Sequence, residues 1–262
     1  MSRKKFVILV LIALVIISGL TAWWLYKSHQ STNTAPTSTP ITATKPADSS
    51  VKPSTPAPAN PAAVPPAPTT SSWPVNLSMA EAVSTTVVVN KKHKLPDSYV
   101  PAGLTTYGGV SLRSEAASAM TNLVNAANVS GITLKMISGY WSFASQTTIY
   151  NNYVAQDGQA AADTYSARPG FSEHQTGLAA DVGSSACDLD TCFGDTAAGQ
   201  WVAANAQNYG FIVRYPKGKE ADTGYQYEPW HLRYLGVDTA KSVYASGKTL
   251  DQYYNVAAGG YQ

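Results

Sequence analysis

Four ionisable residues in the C-terminal half of this chain have types and spacings that could build a metal site. His174 and Asp181 lie seven positions apart in "GFSEHQTGLAADVG", and His231 follows Asp181 by fifty residues in "EPWHLRY", with Glu228 three positions before it. Two histidines and an aspartate make a three-ligand set that leaves zinc a position for water. A further carboxylate, Glu228, would then be placed to take a proton from that water. A blander reading uses the same residues. His174 hydrogen-bonds Asp181, and His231 packs against Trp230 and Tyr234. The contiguous HExxH spacing is absent, so spacing alone leaves both readings open.

Any joint role makes demands on the backbone. A turn at Thr176-Gly177, followed by the strand-like "LAADV", would bring His174 and Asp181 to one point. Glu228 and His231 would face opposite sides of a straight strand, so they can share a site only if the chain bends, and Pro229 is where it would. The surrounding pattern supplies the rest. "SEAASAMTNLVNAANVSG" has apolar residues at helical spacing and stops at Gly131, and "ITLKMIS" alternates like a strand. "SFASQTTIYNNYVAQDG" reads as a second helix with Ser142 as its N-cap. "AAGQWVAANAQNYG" is a third helix, "FIVRYP" a strand, "GYQYEPWHLRYLG" extended, and "TAKSVYASG" and "TLDQYYN" short helices. Helices cluster with a few strands and without regular βαβ alternation, which predicts an α+β domain.

The ends of the chain are of a different character. Arg3, Lys4 and Lys5 precede an uncharged apolar run of 21 residues, Phe6 to Tyr26, closed by Lys27. That length crosses a bilayer as a helix, and the basic flank places the N-terminus in the cytosol. A cleaved secretory signal is the competing reading, but the bulky Ala-Trp-Trp-Leu-Tyr is a poor cleavage site. Residues 1–28 are therefore read as a cytoplasmic tip and transmembrane anchor, with the remainder on the outer side of the cell membrane, or secreted if the segment is cleaved. Residues 29–72, rich in Pro, Thr, Ser and Ala, read as a disordered tether that cannot bury a core. Residues 73–262 form the domain, expected to be monomeric.

Of the 18 Lys and Arg, six precede Trp73, whereas only Asp48 of the 16 Asp and Glu does. The domain is thus acidic, and there is no basic footprint for nucleic acid. Cys187 and Cys192 enclose "DLDT". In an exported chain so close a pair is a disulfide.

Several segments in order, "VVNKKHKLPDSYVP", "ISGYWSFASQ", "ARPGFSEHQTGLAADVG", "YGFIVRYPKGKEADTGYQYEPWHLRYLG" and "KTLDQYY", resemble the D-alanyl-D-alanine carboxypeptidase family of the VanY and LdcB type. These are zinc metallopeptidases of bacterial peptidoglycan, and the match runs from about Val87 to the C-terminus. The family's S-x-H-x(6)-D falls on Ser172, His174 and Asp181, and its E-x-x-H on Glu228 and His231. The resemblance implies that His174, Asp181 and His231 bind Zn2+ and that Glu228 is the catalytic base. It implies the compact fold of Hedgehog signalling domains, and a peptidoglycan stem peptide as substrate. Gln146 and Ser172 fall on substrate-binding positions of the family, while Arg168 and Tyr234 are assigned to substrate only by adjacency to the motifs.

One position departs from the pattern. The family continues "SGY" with an arginine placed to stabilise the oxyanion, and this chain has Trp141. An indole N–H is one neutral donor and does not replace a guanidinium fork. Losing an oxyanion donor typically costs about 3 kcal/mol of transition-state stabilisation. Arg168 or Arg214 could reach in instead. The leading expectation is therefore a membrane-tethered zinc carboxypeptidase that trims the terminal D-alanine. The alternative is a weakened or inactive peptidoglycan-binding module on the same fold.

Overall fold

The computed structural model describes residues 76–261, so the expected anchor and tether lie outside the described residues. Among the described residues, no helix is long and apolar enough to cross a membrane. After a one-turn helix at Met79–Ala82, the chain forms a two-stranded hairpin, β1 (Leu104–Tyr107) and β2 (Val110–Arg113). Its turn is Gly108-Gly109, both at positive φ (58° and 86°), as a tight two-residue hairpin requires. The sequence reading did not include this hairpin.

Helix α1 (Ser114–Val129) follows, then β3 (Lys135–Ser138) and α2 (Phe143–Asp157). Ser142 caps α2 as expected, its side chain accepting the Ser145 N–H. Beyond lie β4 (Ala179–Gly183), α3 (Ala197–Asn205), β5 (Phe211–Tyr215), β6 (Glu228–Tyr234), α4 (Val237–Ser246) and the short α5 (Leu250–Tyr253). The "AAGQWVAANAQNYG" helix tightens to a 3-10 turn at Ala206–Tyr209 before Gly210 stops it in the left-handed region.

Four strands make one antiparallel sheet in the order β3-β4-β6-β5. This is the expected mixture of helices with a sheet that lacks βαβ crossovers. Alternation along the two central strands divides the sheet's faces. Ala180 and Val182 of β4 and Trp230 and Leu232 of β6 join Met120 and Leu123 of α1, Val202 of α3, and Phe193 in the main core. The intervening Asp181 and His231 are buried as well, and they are direct cross-strand partners.

Candidate active site

His174 lies on a 3-10 turn, Glu173–Thr176, closed by Gly177 in the left-handed region at φ 68°. That turn returns the chain into β4 and so into register with His231. His174 Nδ1 is 2.7 Å from the Gly139 carbonyl oxygen. Nδ1 therefore carries the proton it donates, which leaves the Nε2 lone pair free. Nε2 is 3.4 Å from Asp181 Oδ2, and His231 Nδ1 is 3.4 Å from Asp181 Oδ1. One ligand atom from each of the three residues falls within 4.8 Å of the others, and all three side chains are buried.

The expected bend is in β6. Its pairing with β5 shifts between Val213–Leu232 and Tyr215–Glu228, so β6 uses four residues where β5 uses two. This excursion around Pro229 carries the Glu228 carboxylate to 3.6 Å from His231 Nδ1. Burial, with Asp181 and Glu173 nearby, pushes the Glu228 carboxyl well above the usual carboxylate range. Burial also pushes His231 down, which favours the neutral imidazole that a metal needs.

These residues fit a zinc ion. A tetrahedron with bonds of about 2.0–2.1 Å has edges of about 3.3–3.4 Å; His174 Nε2 lies 3.4 Å from Asp181 Oδ2 and His231 Nδ1 lies 3.4 Å from Asp181 Oδ1, so either carboxylate oxygen could complete such a set after a small rotation. Asp181 Oδ1 is buried with no hydrogen-bond partner among the described residues. Such an atom is costly unless a cation or donor faces it.

Glu173, given no role by the sequence reading, supports this cluster from behind. Its Oε1 accepts from Arg214 Nε and Arg233 Nη1, both at 2.8 Å, and its Oε2 faces His231 Nε2 at 3.5 Å. Burial alone would raise its carboxyl, but the two guanidinium groups overrule burial and hold it well below the usual range. A charged residue beside His174 among small apolar neighbours was the available signal.

A cavity of about 160 Å³ opens onto the cluster, walled by Gln146, Ser172, Trp141, Tyr215, Tyr225 and Leu189 among others. Gln146 and Ser172, which the family resemblance assigns to substrate, both line this cavity. Trp141 stacks on His174, ring centroids 3.9 Å apart. Arg168 and Tyr234 do not line the cavity. Arg168 is held in an ion pair with Asp163 at 2.7 Å, and Tyr234 packs on Phe211 in the main core. Arg214 does not replace the missing arginine either. It is 1% exposed and committed to Glu173 and Asp251. Cys187 and Cys192 form a disulfide, and Leu189 in the loop it closes lines the cavity.

Fold and cluster define a class, an α+β domain with a buried two-histidine, one-aspartate site beside a free carboxylate. The chain belongs to the VanY family of D-alanyl-D-alanine carboxypeptidases, whose model matches residues 109–237. It is 42% identical over 179 residues to the putative carboxypeptidase YodJ of Bacillus subtilis, covering 64% of this chain and 66% of that protein. Among solved structures, the LdcB LD-carboxypeptidase matches with TM-score 0.61 and 40% identity, over 66% of this chain and 89% of its own. A vancomycin-resistance D,D-pentapeptidase VanY variant in complex with Zn(II) matches with TM-score 0.58 and 31% identity, over 64% and 98%.

Proposed function

We propose that this protein is an exported zinc carboxypeptidase, tethered to the cell membrane through residues 6–26, that removes the C-terminal D-alanine from peptidoglycan stem peptides. The observation that carries the reading is the Glu228 carboxylate 3.6 Å from His231, beside three ligand atoms spaced for one ion. The relatives support it: one is described as an LD-carboxypeptidase and another as a D,D-pentapeptidase solved with Zn(II).

His174, Asp181 and His231 would hold the ion, which would supply Lewis acidity toward water and the scissile carbonyl. Glu228 takes a proton from the attacking water and returns it to the D-alanine nitrogen as the C–N bond breaks. Its buried setting, with Asp181 and Glu173 nearby, raises its proton affinity, which suits a carboxylate that must take up a proton from water. Gln146 and Ser172 orient the peptide. The apolar and aromatic walls exclude water.

A wall-binding module on the same fold is the second reading, favoured by a cavity with no lysine or arginine among its lining residues. One experiment separates the two. The full-length chain is purified in detergent, assayed for metal, and incubated with stem tetrapeptide and pentapeptide. We expect about one zinc per chain. We also expect D-alanine release that Glu228→Ala lowers by about 10²–10⁴-fold. Zinc without release from either peptide would establish the binding module, and release undiminished by Glu228→Ala would refute the base.

A further inference from the structure

Hydrolysis of an amide builds negative charge on the carbonyl oxygen, and an enzyme that accelerates it presents donors to that oxygen. Here no cationic side chain lines the cavity. Arg168, Arg214 and Arg233 are each taken up by a carboxylate. The donor must therefore come from the neutral groups of the wall.

Most of those are already engaged. Gln146 Nε2 donates to the Ala167 carbonyl at 2.6 Å, and the Tyr225 hydroxyl shares a 3.4 Å contact with that of Tyr261. The Tyr165 hydroxyl donates to Asp157 at the rim; the Ser172 hydroxyl accepts the His174 N–H and keeps its own proton for the peptide group that it orients. Tyr215 differs. It ends β5 directly opposite Glu228, and its ring lies between His231 (centroids 4.9 Å apart) and Tyr225 (4.8 Å). Tyr215 lines the cavity although the residue is only 6% exposed, and its hydroxyl neither hydrogen-bonds another described residue nor is sealed from solvent, so it stays available to a ligand.

We propose that the Tyr215 hydroxyl is a catalytic residue, the hydrogen-bond donor to the scissile carbonyl oxygen as that oxygen becomes an oxyanion. When the water oxygen bonds to the carbonyl carbon, the C=O π electrons move to the oxygen. Tyr215 keeps its proton and donates a hydrogen bond to that charge. When the C–N bond breaks, the electrons return to re-form the carbonyl, and the nitrogen takes its proton from Glu228. Trp141, one of the neutral N–H groups in the wall, is half-buried, and its indole lies nearly parallel to the His174 ring at 29°. Its contribution is to hold that imidazole.

This rests on the hydrolase reading, and the test keeps the two apart. Tyr215→Phe and Trp141→Phe are made in the full-length, zinc-loaded chain. Zinc content, thermal melting, kcat and KM on stem peptide, and affinity for a D-Ala-D-Ala phosphinate analogue are measured. For Tyr215→Phe we expect unchanged zinc and melting, kcat lower by about 10²–10³-fold with KM within about twofold, and phosphinate affinity lowered in parallel with kcat. A Tyr215→Phe variant with wild-type kcat, a loss confined to KM, or a kcat loss that follows Trp141→Phe instead would overturn the proposal. If the wild type releases no D-alanine, the hydrolase reading fails by itself. Equal phosphinate binding by wild type and Tyr215→Phe then overturns the role of Tyr215 as well.

Discussion

Glu173 Oε2 lies 3.5 Å from Nε2 of His231, on the side of the imidazole away from the nitrogen that faces Asp181 at 3.4 Å. One ring thus stands between a buried carboxylate and the candidate metal position, with the carboxylate at the edge of hydrogen-bond reach, where it would orient a metal-bound imidazole. Glu173 is in turn fixed by Arg214 and Arg233, so the positive charges missing from the cavity wall are found one layer behind it.

Replacing Glu173 with glutamine should therefore do two things. Zinc affinity should fall by about 10–100-fold, read by chelator competition, because His231 loses its orienting partner. Stability should fall by about 3–5 kcal/mol in urea melts, because two buried guanidinium groups lose their shared counter-charge. Unchanged zinc affinity with lowered stability would leave Glu173 a purely structural residue.

How far the sequence reveals this arrangement depends on the kind of interaction. The helices at Ser114–Val129 and Phe143–Asp157 have local signals, apolar spacing and a serine cap, and they form as read. The requirement for a bend at Pro229 followed from parity alone, since Glu228 and His231 differ by an odd number of positions. The hairpin at Gly108-Gly109 carried a readable Gly-Gly turn, but its strands, LTTY and VSLR, are too short and polar to show a strand period. The Glu173–Arg214–Asp251 network was illegible for a different reason. Its members lie 41 and 37 residues apart, and only tertiary packing makes a buried arginine necessary. Arg168 and Tyr234 show the converse failure, since adjacency to a motif does not determine which way a side chain points.

Asp163 gives the pH dependence of stability. Burial raises its carboxyl, but hydrogen bonds from Arg168 and Tyr150, with Lys91 nearby, outweigh burial and lower it from 3.8. A carboxylate with a depressed folded-state pKa adds stability above its unfolded pKa, and that stability is lost as pH falls through the folded value. The advantage of wild type over Asp163→Asn should be full at pH 6 and shrink steadily below about pH 4. Unfolding free energies measured in denaturant across that range supply the check, and a difference independent of pH would contradict it.

Tyr261 closes the wall from outside. Its hydroxyl accepts the Arg168 N–H at 2.7 Å, the Arg168 guanidinium lies 4.0 Å from its ring centroid, and Phe171 packs edge-on at 5.3 Å. Ser166 and Ala167, just before Arg168, line the cavity. Tyr261→Ala should raise KM for stem peptide several-fold with kcat and zinc content held, because it loosens the wall without touching the reacting atoms. It should cost about 1–3 kcal/mol of stability through lost burial and cation–π contact. A fall in kcat at constant KM would place Tyr261 in the chemistry instead.

The disulfide loop makes a comparable contribution at the cavity mouth. Cys187 is 9% exposed and packs in the main core, whereas Leu189, two residues on, is 45% exposed and lines the cavity. The Cys187–Cys192 bond closes a short loop, so its entropic stabilisation is about 2 kcal/mol, and the Cys187→Ser/Cys192→Ser pair should lose that much in thermal or urea melts. The same variant should bind stem peptide more weakly, because Leu189 is then free to leave the rim. Leu189→Ala separates the two effects, since it removes the apolar contact and leaves the cross-link intact. It should reproduce the rise in KM with little loss of stability. If only the cysteine variant raises KM, the loop acts through the end of β4 and the position of Asp181, and zinc affinity would fall with it.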